Sequence, residues 1–138
     1  MTVIVDTGAL IALYDRSDRY HSSVIDAFRA FDRHVVPALV LSEADYLLRK
    51  YLGRASALAL LDGVIGGYYS VEGPTASDFR RARELDVQYA DLNLGLTDCT
   101  VIAAAERLGV PDVLTVDQRD FRPIQSKLGS LRLLPADA

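Results

Sequence analysis

The run Val3-Ile4-Val5 followed at once by Asp6-Thr7 constrains this chain more than any other stretch. Three β-branched apolar residues with no polar alternation fit a strand covered on both faces, as the central strands of parallel sheets are. In open α/β sheets, ligands bind just beyond the carboxyl ends of such strands, which is where Asp6 stands. Asp is also a favoured helix N-cap, so Asp6 can equally cap the apolar segment that begins at Gly8. The residues around it leave both readings open, and the rest of the chain bears on the choice.

A second run of this kind, Val113-Leu114-Thr115-Val116, also ends on an acid, Asp117. Between the two runs the apolar spacing predicts helices over 8–14, 20–31, 39–52, 55–65, 75–89 and 97–108, with short strands at 34–37 and 68–71. A last strand spans 131–134. Gly53, Gly66-Gly67 and Gly109 are the expected helix stops, and Thr75-Ala76-Ser77-Asp78 is a capping pattern. Arg80, Arg81 and Arg83 fall on positions read as solvated. Strands that alternate with helices predict a three-layer α/β/α domain: a small, mainly parallel sheet flanked by helices, with residues 1–138 forming one domain.

Two parallel strands that both end on acids bring Asp6 and Asp117 to one edge of the sheet. Glu43 lies between Val40 and Leu47 on a helix, a position read as inward-facing. Asp98, in the first turn of its helix, is followed at i+3 and i+4 by Val101 and Ile102. No Arg or Lys one turn away neutralises Asp98. Converging carboxylates repel one another and raise each other's pKa unless a cation balances them. With one cysteine, Cys99, and two histidines, His21 and His34, a Cys/His zinc site has no support. The expected counterion is therefore a hard divalent metal held by oxygen, Mg²⁺ or Mn²⁺. Thr7, Thr97 and Thr115 flank three of the acids and are read as hydrogen-bond partners for them, or equally as cap and strand residues. Cys99 is read as a small buried apolar residue, and His21 as a surface one.

The formal net charge of −4 argues against a generally basic, nucleic-acid-coating surface. All but two of the basic residues are Arg, however, the better partner for phosphate, so a local arginine rim around an acidic pocket is compatible with that total. There is no GxxxxGK[ST], GxGxxG or GxSxG motif. No apolar run approaches the ~18 residues of a membrane span, and no signal-peptide pattern opens the chain, so a cytoplasmic protein is expected. The helices over 39–52 and 55–65 carry aliphatic surface beyond the needs of a small core, which suggests an interface.

Taken together, Val5-Asp6-Thr7, Ser42-Glu43, Leu96-Thr97-Asp98 with Ile102-Ala103-Ala104-Ala105, and Thr115-Val116-Asp117 with Asp120-Phe121 resemble the PIN domain. More narrowly they resemble the VapC ribonuclease toxins of bacterial toxin-antitoxin pairs. The resemblance implies that Asp6, Glu43, Asp98 and Asp117 form the catalytic and metal-binding cluster, with Asp91 and Asp120 as auxiliaries. It also implies Mg²⁺ or Mn²⁺ as cofactor, a structured RNA (tRNA or rRNA) as substrate, a homodimer, and a small VapB-like antitoxin as partner. Two other readings compete with a metal-dependent endoribonuclease. One is haloacid-dehalogenase-like phosphotransfer through Asp6, which wants a second Asp where this chain has Gly8. The other is a non-catalytic RNA- or protein-binding module.

Overall fold

The computed structural model describes residues 1–138. In order along the chain, its elements begin with β1 (Thr2–Val5), α1 (Thr7–Tyr14), α2 (His21–Arg29), β2 (Arg33–Pro37), α3 (Ala38–Tyr51), α4 (Arg54–Ile65) and β3 (Ser70–Glu72). They continue with α5 (Ala76–Gln88), a 3-10 turn (Ala90–Leu92), α6 (Gly95–Leu108), β4 (Asp112–Leu114), α7 (Gln118–Phe121), β5 (Gln125–Ser126), β6 (Gly129–Ser130) and β7 (Arg132–Leu134).

Five strands form one wholly parallel sheet in the order β3-β2-β1-β4-β7, while β5 and β6 pair separately as a small antiparallel hairpin. Strand β1 is central: Ile4 lies level with Val35 of β2 on one side and Val113 of β4 on the other. Val3, Ile4 and Val5 are fully buried, as expected of a strand covered on both faces. Crossovers between parallel strands are right-handed, so the two leftward steps, β1 to β2 and β2 to β3, carry α1 to α4 over one face. The rightward step from β3 to β4 carries α5 and α6 over the other. The strand order therefore reverses between β1 and β4. That switch point opens a crevice at the carboxyl ends of the strands, the usual ligand position of open α/β sheets.

Helix α6 is buried at every residue from Cys99 to Ala105, the pattern of a helix enclosed on all sides, and its alanine run lets it lie close to its neighbours. The capping box of α5 is present, with Thr75 and Asp78 each bonded to the other's backbone N–H. Gly109, at a φ of 67°, takes the left-handed conformation that ends α6. No helix is long and apolar enough to cross a membrane.

Several expectations need correction. Arg81 is not solvated: its guanidinium makes two bonds to Glu106 of α6, at 2.7 and 3.0 Å, and joins the two helices. His21 is half-buried, with Nδ1 2.7 Å from the Ala12 carbonyl. The second acid-ended strand stops at Leu114, although the Thr115 N–H still donates to the Leu134 carbonyl. Helix α7 and the hairpin lie in a stretch whose apolar residues are too few and too irregularly spaced to announce either.

Candidate active site

Asp6 leaves β1 with its N–H still donating to Leu114 of β4 at 2.9 Å, so the sheet itself holds its backbone. Its side chain does not cap α1. Instead Oδ2 accepts from the Thr115 hydroxyl at 2.9 Å, and that hydroxyl in turn accepts the Asp117 N–H at 3.0 Å. One threonine thus ties together the two acids that leave adjacent parallel strands. Capping falls to Asp117, whose carboxylate accepts the Asp120 N–H and starts α7.

Asp6, Glu43, Asp98 and Asp117 line one cleft of about 490 Å³ at the switch point, together with Thr7, Thr97 and an apolar wall that includes Ile11, Leu47, Leu94 and Val116. Four acids far apart in the chain therefore meet in one place. The inward-facing reading of Glu43 is wrong: the stripe α3 turns to the core is Val40, Ala44 and Leu48, and Glu43 is exposed on the neighbouring stripe. It reaches the cleft from its solvated edge, beside Leu47. A hydrophobic residue at both i−3 and i+4 did not separate the core from the rim of a cleft. Asp91 is exposed on the 3-10 turn and does not line the cleft. Asp120 does belong with the cluster, in a hollow that shares Val116 and Asp117 with the main cleft.

The electrostatics follow from this crowding. Burial pushes the Asp6 carboxyl up to about 6, against the lowering effect of the Thr7 N–H and the Thr115 hydroxyl; the charges of Asp117 and Glu43 push it further. Asp98 rises to about 8, first through burial, then through the charges of Asp6, Asp120 and Asp117 and as the protonated partner of Asp120. Asp120 is raised too, by burial and by its contact with Asp117, while Asp98 and Arg119 pull it down. Cys99 is buried and its thiol is raised to about 11, which keeps it an inert apolar side chain.

Thr7 lines the cleft, and its buried hydroxyl has no hydrogen-bond partner in the protein. A buried polar atom without a partner is uncommon, and this one stands beside the acidic cleft. No three of the protein's acidic, histidine or cysteine side chains form a ready-made metal cage. The donor set is entirely oxygen and its acids are charge-frustrated. That suits a hard cation such as Mg²⁺, which takes one or two carboxylates and keeps waters. Of the three threonines beside acids, Thr115 is the hydrogen-bond partner its position suggests, whereas the Thr7 hydroxyl bonds no acid. The place of Asp120 is hard to see in the sequence, because it depends on the short helix α7 that folds it back towards Asp98.

The PIN domain family model matches residues 3–126. Ribonuclease VapC26 of Mycobacterium tuberculosis is 31% identical over 126 residues, which cover 88% of this chain and 93% of that protein. The crystal structure of Mycobacterium tuberculosis VapC20, described there as a sarcin-ricin loop cleaving toxin, superposes with a TM-score of 0.78 at 22% identity. That match covers 84% of this chain and 90% of the other. A family model that spans most of the chain, a relative similar from end to end and a shared three-dimensional fold agree with the acidic switch-point cleft: the chain belongs to the PIN-domain family, in its VapC branch.

Proposed function

We propose that this protein is a toxin-type endoribonuclease that depends on Mg²⁺ or Mn²⁺ and cleaves a structured RNA, of the tRNA or rRNA class. The observation that carries the reading is the meeting of Asp6, Glu43, Asp98 and Asp117 at one cleft, with Asp6 and Asp98 raised well above ordinary carboxyl values. Similarity to a ribonuclease over nearly the whole of both chains supports it.

Asp6 and Asp98 would hold the metal, with Glu43 and Asp117 completing the set. When bound, such an ion supplies Lewis acidity at the phosphodiester and acidifies water. The protein's own share is positioning. Thr115 fixes the Asp6 carboxylate by one hydrogen bond, and the helix start at Asp117 holds a third carboxylate beside it. Burial and the charges of Asp6, Asp120 and Asp117 favour the protonated form of Asp98, and its proton must leave before Asp98 can act as a ligand. The apolar wall of Ile11, Leu47 and Val116 excludes water on one side, which strengthens every charge interaction inside the cleft.

Helices α3 and α4 expose Tyr46, Tyr51, Leu58, Leu61, Ile65 and, just beyond, Tyr68. So large an apolar surface beside a nuclease cleft supports a homodimer and a small VapB-like antitoxin partner. Leu48 and Leu60 belong to the core and take no part in it.

The test is cleavage of bulk tRNA and rRNA by purified protein, free of partner, with added Mg²⁺ or Mn²⁺ and with a chelator. Cleavage that needs the metal and falls by at least about a hundredfold in Asp98→Asn is expected. Cleavage that survives the chelator would remove the metal from the reading. RNA binding without cleavage under any metal would leave a binding module in its place.

A further inference from the structure

Val116 is a ridge between hollows. It lines the acidic cleft, the hollow of Asp117 and Asp120, and a third hollow of about 250 Å³ on its far side. The third hollow is walled by Tyr20 and Ser23 from the start of α2, Gln118 of α7, and Pro135 after β7, with Thr115 reaching it from the sheet. No charged side chain lines it. A phosphate would find no cation there, and an ammonium or guanidinium no carboxylate.

Its walls offer flat apolar surface and directed hydrogen bonds instead. The Gln118 amide oxygen accepts from Arg122 Nη2 at 2.7 Å, which fixes the amide and leaves its NH₂ group to donate. The Tyr20 hydroxyl accepts from Arg19 at 2.7 Å and keeps its own proton for a ligand. Ser23 donates to the Tyr20 carbonyl at 3.1 Å, so its oxygen is free to accept. Two donors and one acceptor around an uncharged, part-apolar hollow match the edge and faces of a nucleobase, the part of single-stranded RNA that proteins read. The volume lies below the ~300 Å³ at which drug-sized pockets begin, room for one heterocycle and not for a base pair. Cations stand at the rim, where the chain's phosphates would run: the Arg19 guanidinium lies 4.7 Å from the Tyr20 ring centroid, and Arg119 borders the neighbouring hollow. Thr115, at the hollow, donates directly to Asp6 in the acidic cleft, so the two sites are one side chain apart.

We propose that this hollow seats one unpaired nucleobase next to the phosphate that is cut, and that Tyr20 and Gln118 thereby set which RNA sequence the protein cleaves. The proposal rests on the ribonuclease reading and adds the specificity site to it.

The test uses a pool of RNA hairpins with randomised loops, cleaved by the wild type with Mn²⁺ and sequenced to rank the bases around the cut. The seat requires one position beside the cut to show a strong base preference. Replacing that base by an abasic site should slow the wild type roughly tenfold, the usual effect of losing one stacked base. Gln118→Ala should change the ranking at that position alone. Tyr20→Ala should lose about the same tenfold on the intact RNA and little more on the abasic one, and Tyr20→Phe should recover the part that is stacking. If Tyr20→Ala fails to fold, the abasic substitution and Gln118→Ala decide the matter without it. A wild type that cleaves but shows no base preference, or variants that keep the wild-type ranking, would overturn the base seat and leave the ribonuclease reading standing. A wild type that cleaves no RNA would overturn both.

Discussion

Asp6 is buried and forms one side-chain hydrogen bond, to Thr115, yet carries a charge that nothing cationic meets. A carboxyl raised from 3.8 to about 6 makes its ionised form cost the fold about 3 kcal/mol above that pH. Asp6→Asn keeps the shape and an oxygen for the Thr115 hydroxyl while removing the charge. It should raise the melting temperature of the metal-free protein at pH 8 and abolish cleavage; a thermal melt that falls instead would mark Asp6 as a structural acid. Gly8 makes a different kind of demand. A Cβ built on it would stand 2.8 Å from Val116 Cγ2, closer than real Cβ atoms come. Alanine would otherwise favour a helix by roughly 1 kcal/mol over glycine, so the sign of the substitution shows which effect wins. Gly8→Ala should cost about 1–2 kcal/mol in urea denaturation as Val116 is forced aside, and adding Val116→Ala should recover part of the loss.

Helices α5 and α6 are joined by the Arg81–Glu106 pair, whose side chains are 16% and 6% exposed, and by Arg107 to Asp78 at 3.0 Å. The Lys127 N–H also donates to Glu106, so the same carboxylate anchors the hairpin of β5 and β6. Arg81→Ala strands a nearly buried charge and should cost about 3 kcal/mol, whereas the double change Arg81→Met with Glu106→Leu should cost clearly less than the sum of its parts. Additive losses in chemical denaturation would show that the pair does not act as a unit. These contacts also show what the sequence could and could not convey. Val3 to Val5 announced a central strand because covering on both faces leaves no polar alternation, and Thr75 with Asp78 announced a helix start because the cap is local. Arg81 reads as solvated in the sequence because its partner lies 25 residues away, and nothing within its own helix points there. Glu43 reads as inward-facing for a related reason. Helical spacing defines a stripe, but whether that stripe meets packed side chains or the edge of a cleft depends on elements far off in the chain. Among the acids, Asp6 and Asp117 were legible from strand ends, while Asp120 needed the four-residue helix α7 to bring it round.

For the molecule as a whole, the acidic cluster links stability to pH, and a metal held there would act with the opposite sign. Asp6 and Asp98 have folded pKa values, about 6 and about 8, above the 3.8 of an unperturbed Asp. Between those values the folded state binds more protons than the unfolded one, so their contribution is fully present below about pH 4 and is lost as pH rises towards 8. The pair Arg81–Glu106 works the other way, since Glu106 is held below its usual value and contributes above it, but that effect is complete before neutrality. From pH 5 to 8 the metal-free protein should therefore lose stability, and Asp98→Asn should flatten the decline. A metal that binds only the folded state adds about 4 kcal/mol at a thousandfold excess over its dissociation constant, and it competes with protons for the same carboxylates. Its gain must grow across the interval in which stability otherwise falls. Melting curves of the wild type at pH 5 and pH 8, each with a chelator and with millimolar Mn²⁺, should show Mn²⁺ raising the melting temperature far more at pH 8, and in Asp98→Asn hardly at all. Equal gains at the two pH values, or a full gain in Asp98→Asn, would mean that the cation binds elsewhere and that the four carboxylates repel one another for some other purpose.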